Sequence, residues 1–196
     1  RLPAGGGGGG PAAGAAPAVN ALAALVGALP SMDVAGRASR LREHLGPGRL
    51  EALLVTSLTN IRYLTGFTGS AGLVVVTAAE LVVVTGARYR EQAADQLEEA
   101  GVSARLEITS SEQRQVVAAA LGSAARIGLE AEHVTWAAQR RYAAEWFTGR
   151  ELVATSGLVE RLRRFKDDGE LARMEAAAAV ADAALAEMRP RLLDGP

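Results

Sequence analysis

The chain has 196 residues, with 22 acidic and 21 basic side chains and a formal charge of −1. That balance gives no global pull toward nucleic acid or an anionic membrane, and the length fits one domain with appendages. Cysteine is absent, which excludes disulfides and thiolate metal sites and fits a reducing, cytoplasmic compartment.

Residues 1–32 read as a disordered Gly/Ala/Pro-rich leader, because six consecutive glycines at 5–10 cannot hold one conformation cheaply. The apolar run at 20–29 is short and flanked by glycine rather than a basic region, which argues against an export signal. No stretch reaches the roughly 20 apolar residues of a membrane span. Residues 34–45 (VAGRASRLREHL) predict an amphipathic helix with arginines on one face, stopped by Gly46-Pro47-Gly48. A buried strand is expected over 50–56 and a short helix over 59–64, capped by Thr59 and ended by Gly66. Val-rich strands over 73–77 and 81–85 form a hairpin. Then follow a helix over 89–100, a strand over 102–109, a helix over 111–121, a strand over 126–130, a helix over 135–147 and a strand over 152–155. The expected fold is α/β, a mixed sheet with helices on both faces. A basic amphipathic piece spans 157–165. Asp167 and Glu170 then make a capping box for a long helix. Its apolar positions Leu171, Met174, Ala178, Ala181, Leu185, Met188 and Leu192 form one face, broken by Pro190 near the end. Such a face either packs on its own sheet or awaits a partner.

Chemistry-bearing residues are few. Glu130, Glu132 and His133 lie within four positions at a strand end. They read either as metal ligands or as a polar lead into the helix capped by Thr135, and the second is preferred because metal sites need convergent, supported ligands. Strand alternation sends Glu130 and Glu132 to one side and His133 to the other. Gly66, Gly69, Gly72 and Ser70 lack the spacing of a phosphate loop, so these glycines serve a tight turn. Trp136, Tyr142 and Trp146 read as packing residues. Arg140-Arg141 and residues 161–164 read as solvated or interdomain arginines.

TNIRYLTGFTGSAG, set between two apolar strands at residues 59–72, resembles the N-terminal domain of the creatinase/prolidase/aminopeptidase P family of metallopeptidases. GRASRLREHL resembles that family's opening helix. TGARYREQA at 85–93 resembles its acidic-Gly-Arg-Tyr-x-x-Gln-Ala signature, departing from it at Gly86 and Ala87. LVERLRRFKDDGELARMEAAAAVADAAL at 158–185 resembles the interdomain linker and the first helix of the catalytic domain. The resemblance implies an N-terminal domain over 33–156, a linker over 157–168 and the start of a catalytic domain over 169–196.

It further implies a proline-specific peptidase that cleaves the bond before proline with a dinuclear manganese, cobalt or zinc centre. Those ligands belong to the family's catalytic domain, and this chain holds only His44 and His133 as histidines. The chain alone is therefore expected to be a non-catalytic substrate-gating and oligomerising portion, holding no metal and binding neither nucleic acid nor membrane. Its expected partners are a catalytic domain or another subunit, in a homodimer or higher homo-oligomer. Arg62 and Phe67 are the substrate-mouth candidates, as a carboxylate clamp and a lining of the proline pocket. Tyr63, Arg88 and Tyr89 are structural or interface candidates. The alternative is a stand-alone module that binds a partner or a small carboxylate.

Overall fold

A computed structural model describes residues 27–46 and 49–193, with side chains to 189. Most of the leader, and Pro47-Gly48 of the first helix stop, lie outside these residues. The chain divides into two compact units, one of them Met32–Lys166.

This unit opens with helix α1 (Arg37–Arg42), followed by β1 (Ala52–Val55), α2 (Leu58–Thr65), β2 (Leu73–Thr77) and β3 (Leu81–Thr85). A 3-10 turn (Ala87–Tyr89) leads into α3 (Arg90–Glu99), then β4 (Arg105–Ile108), α4 (Gln113–Leu121) and β5 (Arg126–Glu130). Helix α5 (Trp136–Arg141) passes into a π turn (Tyr142–Trp146), and β6 (Glu151–Thr155) and α6 (Leu158–Arg163) complete the unit.

The strands form one sheet in the order β4-β3-β2-β1-β5-β6. β2 is antiparallel to β1 and β3, whereas the β1–β5, β3–β4 and β5–β6 pairs are parallel. β2 therefore runs against all the others. Central strands buried on both faces need continuous apolar runs, and ALLV of β1 and LVVVT of β3 are buried at every position. Alternation divides their side chains between two cores. Leu53, Val55, Val74, Val76 and Val83 pack with α1, α2, α3 and α6; Ala52, Leu54, Val75, Val82 and Val84 pack with α4 and the π turn. The mixed sheet covered on both faces is thus as the sequence predicts.

Three local expectations need correction. Helix α1 covers only Arg37–Arg42, and Arg37 is buried against the core rather than on a solvated face. Its Nη1 donates to the Tyr63 carbonyl at 2.9 Å, and its guanidinium lies 4.2 Å from the Tyr63 ring centre. Ser57, not Thr59, stands at the N-cap of α2. Trp136 is 74% exposed instead of packed, while Tyr142, Trp146 and Phe147 do cluster, with ring centres 5.1–6.0 Å apart.

In the second unit, α7 (Asp168–Leu193) begins with the expected reciprocal capping box. Glu170 N–H donates to Asp167 Oδ1 at 2.7 Å, and Asp167 N–H donates to Glu170 Oε2 at 3.1 Å. The helix continues through Pro190, where a break was expected. Leu171, Met174, Val180, Leu185 and Met188 are exposed. Among the described residues no helix is long and apolar enough to cross a membrane.

Candidate functional site

The loop after α2 forms one wall of an open groove. Gly66 ends the helix at φ 77°, a left-handed conformation that glycine adopts without strain, and its N–H donates to the Arg62 carbonyl. The Thr65 hydroxyl donates back to Ile61 O at 2.6 Å and accepts from Phe67 N–H at 3.1 Å, so the chain turns sharply inward. Phe67 follows the turn into the core, where it is 1% exposed and meets Tyr89 edge-on at 5.7 Å. Its ring lies over Gly69 so closely that an added Cβ would come within 2.1 Å of Phe67 Cζ.

Helix α3 and the preceding turn hold the outer part of the loop. Thr68 N–H donates to Gln96 Oε1 at 2.9 Å, and Gln92 and Gln96 both donate to the Thr68 hydroxyl at 2.9 Å. Ser70 Oγ lies 2.6 Å from the Tyr89 hydroxyl, which also accepts from Ser70 N–H at 3.2 Å. These Ser70 hydrogen bonds, with Arg88 nearby, hold the phenol below its ordinary pKa. The Arg88 guanidinium sits 4.6 Å from the Tyr89 ring centre. The groove between this loop and α2 encloses about 290 Å³ and is lined by Leu58, Thr59, Arg62, Phe67, Thr68, Gly69 and Ser70. Arg62 and Thr59 are exposed along it, whereas Phe67 forms its floor. One guanidinium beside hydroxyls suits a carboxylate.

The opposite end of α2 rests on a polar network. Glu130, 6% exposed at the end of β5, accepts Thr56 N–H at 2.6 Å and Ser57 N–H at 2.8 Å through Oε2. These are amides at the N-terminus of α2, where negative charge is favoured. Asn60, fully buried, donates through Nδ2 to Glu130 Oε1 at 2.7 Å and to Glu160 Oε1 at 2.6 Å, and its Oδ1 accepts from Arg163 at 3.1 Å. Both amide hydrogens are thereby used. Burial raises the Glu160 carboxyl, but the Asn60 bond, with His133 and Arg163 nearby, outweighs it and leaves the pKa below the ordinary value. His133 Nε2 is 3.7 Å from Glu160.

Alternation does not extend past Glu130, because the strand ends there; Glu130 turns inward while Glu132 is exposed. Arg163, read as a solvated or interdomain arginine, instead reaches Asn60. These residues do not fit a metal centre: the Glu130 carboxylate is engaged by Thr56, Ser57 and Asn60, and among the described residues no three acidic or histidine side chains converge. Sequence reasoning placed no role on Asn60, Glu160, Gln92 or Gln96. Gln92 falls within TGARYREQA and Gln96 one turn further along α3, but nothing local in the sequence points them at Thr68.

Residues 37–165 match the family model for the Creatinase/Prolidase N-terminal domain. The chain is 34% identical over 149 residues to an uncharacterized peptidase, YqhT, of Bacillus subtilis, covering 73% of this chain and 40% of that protein. Among solved structures, the N-terminal domain of the cytoplasmic peptidase PepQ of Mycobacterium tuberculosis shares 32% identity at a TM-score of 0.57, covering 65% of this chain and 98% of that one. An Xaa-Pro dipeptidase from Bacillus anthracis shares 28% identity at a TM-score of 0.72, covering 80% of this chain and 43% of that one. The chain therefore spans less than half the length of YqhT and of the dipeptidase.

Proposed function

The chain belongs to the creatinase/prolidase N-terminal domain family, and from that premise we propose that it is the substrate-gating and subunit-pairing portion of an Xaa-Pro aminopeptidase or dipeptidase. The Arg62 groove carries the reading. An exposed guanidinium on a rigid helix, facing a loop pinned by α3, is suited to receive the carboxylate end of a short peptide. Phe67 supports the groove from below, and Tyr63, Arg88 and Tyr89 hold its surroundings in place. In this reading, the manganese, cobalt or zinc chemistry belongs to a catalytic domain that the Arg62 groove faces, and the assembly works in the cytoplasm.

Two measurements test this reading. The purified chain supplied with manganese should not cleave Xaa-Pro peptides, and cleavage would overturn the division of labour. In the longest protein that carries this sequence, Arg62→Ala should raise KM for Xaa-Pro peptides and leave kcat nearly unchanged, the pattern of lost ground-state binding. An unchanged KM would remove Arg62 from the site. The same groove also supports a second reading, a stand-alone module that binds a small carboxylate. A thermal shift of the isolated chain by free proline, lost in Arg62→Ala, would favour it.

A further inference from the structure

Helix α2 presents two faces with different tasks. Asn60 and Arg62 lie two residues apart, about 200° around the helix, so Asn60 is buried on the inner side while Arg62 is exposed along the groove. Asn60 holds three bonds from two directions. β5 supplies Glu130, which accepts from Nδ2 at 2.7 Å. α6 supplies the other two: Glu160 accepts from Nδ2 at 2.6 Å, and Arg163 donates to Oδ1 at 3.1 Å. Glu160 and Arg163 stand one turn apart, so both reach Asn60 from the same face of α6. The apolar hold of α6 is small. Val159 is its one buried residue, with Leu158 and Leu162 partly buried beside it. Past Arg163 the chain leaves the core: Phe165 is 84% exposed, and the unit ends at Lys166.

We propose that α6 is a clasp that governs the Arg62 groove. While Glu160 and Arg163 hold Asn60, α2 is ordered and Arg62 stays in place; when the chain beyond Lys166 draws α6 away, α2 loosens and the groove weakens. The chemistry makes the clasp releasable. Glu130 and Glu160 crowd one amide nitrogen, so their charges repel and the Arg163 cation offsets them. The Glu160 side chain is 40% exposed and returns to water at little cost. Glu130 keeps the Thr56 and Ser57 amides whether or not α6 is docked, so no buried carboxylate is stranded. Asn60 alone is depleted, from three bonds to one. A helix of eight residues does not hold its shape by itself, and weakly held elements open as units. The loss at Asn60 therefore reaches the groove end of α2. The consequence for a ligand rests on the carboxylate reading of the groove; the clasp itself does not.

Amide hydrogen exchange of the full chain, read by NMR, tests the clasp at two amides. Ile61 N–H donates to Ser57 O beside Asn60, and Gly66 N–H donates to Arg62 O at the groove end, both at 2.8 Å. Arg163→Met removes the donor and keeps the stem at a half-buried position. It should speed exchange at both amides about tenfold, the weight of one charge-assisted bond, and leave the β2–β3 hairpin unchanged. Glu160→Ala, which cuts the other arm, should act alike, and Arg163→Lys should restore protection. Faster exchange at Ile61 alone would make the contact a local prop and overturn the proposal. So would equal acceleration in the hairpin, or no change in either variant. In the longest protein that carries this sequence, Arg163→Met should raise KM for Xaa-Pro peptides and add little to Arg62→Ala. A KM that responds to Arg62→Ala but not to Arg163→Met overturns control of the groove by α6. A KM indifferent to Arg62→Ala overturns the carboxylate reading instead, and the clasp then stands or falls on exchange at Gly66.

Discussion

Replacing Glu130 by glutamine keeps the shape of the side chain and removes one of its two acceptor oxygens. In the native chain Oε2 takes the Thr56 and Ser57 amides at 2.6 and 2.8 Å and the Thr56 hydroxyl at 3.1 Å, and Oε1 takes Asn60 Nδ2 at 2.7 Å. Turned one way, the new NH₂ group opposes the helix amides; turned the other way, it opposes Asn60. Asn60 cannot adapt by flipping, because its oxygen serves Arg163 and its other hydrogen serves Glu160. The loss of a charged hydrogen bond costs about 1.5–3 kcal/mol, and removing the charge from a helix N-terminus costs about 0.3–1 kcal/mol more. The sum, about 2–4 kcal/mol, is a large share of a domain stability of about 5–15 kcal/mol. Urea unfolding followed by far-UV circular dichroism should show a lower midpoint with an unchanged slope. Ser57→Ala is the control, since the Ser57 hydroxyl makes no capping bond; it should cost no more than about 0.5 kcal/mol. The reasoning fails if Glu130→Gln is equally mild, or if Ser57→Ala is the costlier change.

Gly69→Ala forces Phe67 aside, because the new Cβ would meet its ring at 2.1 Å; a loss of about 1–3 kcal/mol and an altered near-UV signal from the Phe67–Tyr89 pair are expected. Thr135→Ala removes the hydroxyl that accepts from Ala138 N–H at 3.2 Å and should cost about 1 kcal/mol in thermal unfolding. Glu160 titrates below its ordinary 4.5 in the folded chain, so its contribution is present above that value and is lost as pH falls through the lower folded pKa. At 40% side-chain exposure the effect is less than about 1 kcal/mol. Glu160→Gln should flatten the acid limb of a stability–pH curve by that amount, and an unchanged limb would count against the linkage.

The parts of the fold that were legible share a short range. The β2–β3 hairpin is bounded by Thr77 and Leu81, as its Val-rich runs predict. Gly66, Gly101 and Gly122 stop helices with positive φ values of 51–77°, because each stop is set by one residue and its neighbours. The asparagine–carboxylate network was not legible. Glu130 reaches Thr56 across 74 positions, and Arg163 reaches Asn60 across 103. The parallel docking of β5 against β1 brings Glu130 to Thr56, and the packing of α6 on α2 brings Arg163 to Asn60. The same limit applies to Arg37, whose cationic head suggested solvent until Tyr63 supplied a carbonyl and a ring face. Of the candidate groove, the short helix that carries Arg62 and its Gly66 stop were legible, while a place for Arg62 at a substrate mouth is what the family resemblance implies. The glutamines that pin Thr68 were not legible, since their target lies on another element.

The mixed topology also divides the chain in time. Strands β1 to β4 come from one continuous stretch and pair mainly with near neighbours, so that half of the sheet can form at low loop-closure cost. β5 must return across more than seventy positions to reach β1, and Glu130 arrives with it. The seam between β1 and β5 is therefore expected to close late on the folding route. Substitutions in the β2–β3 hairpin should slow refolding, whereas Glu130→Gln should mainly hasten unfolding, as contacts made after the transition state do. A stopped-flow chevron in which Glu130→Gln slows only the refolding limb would reverse that order.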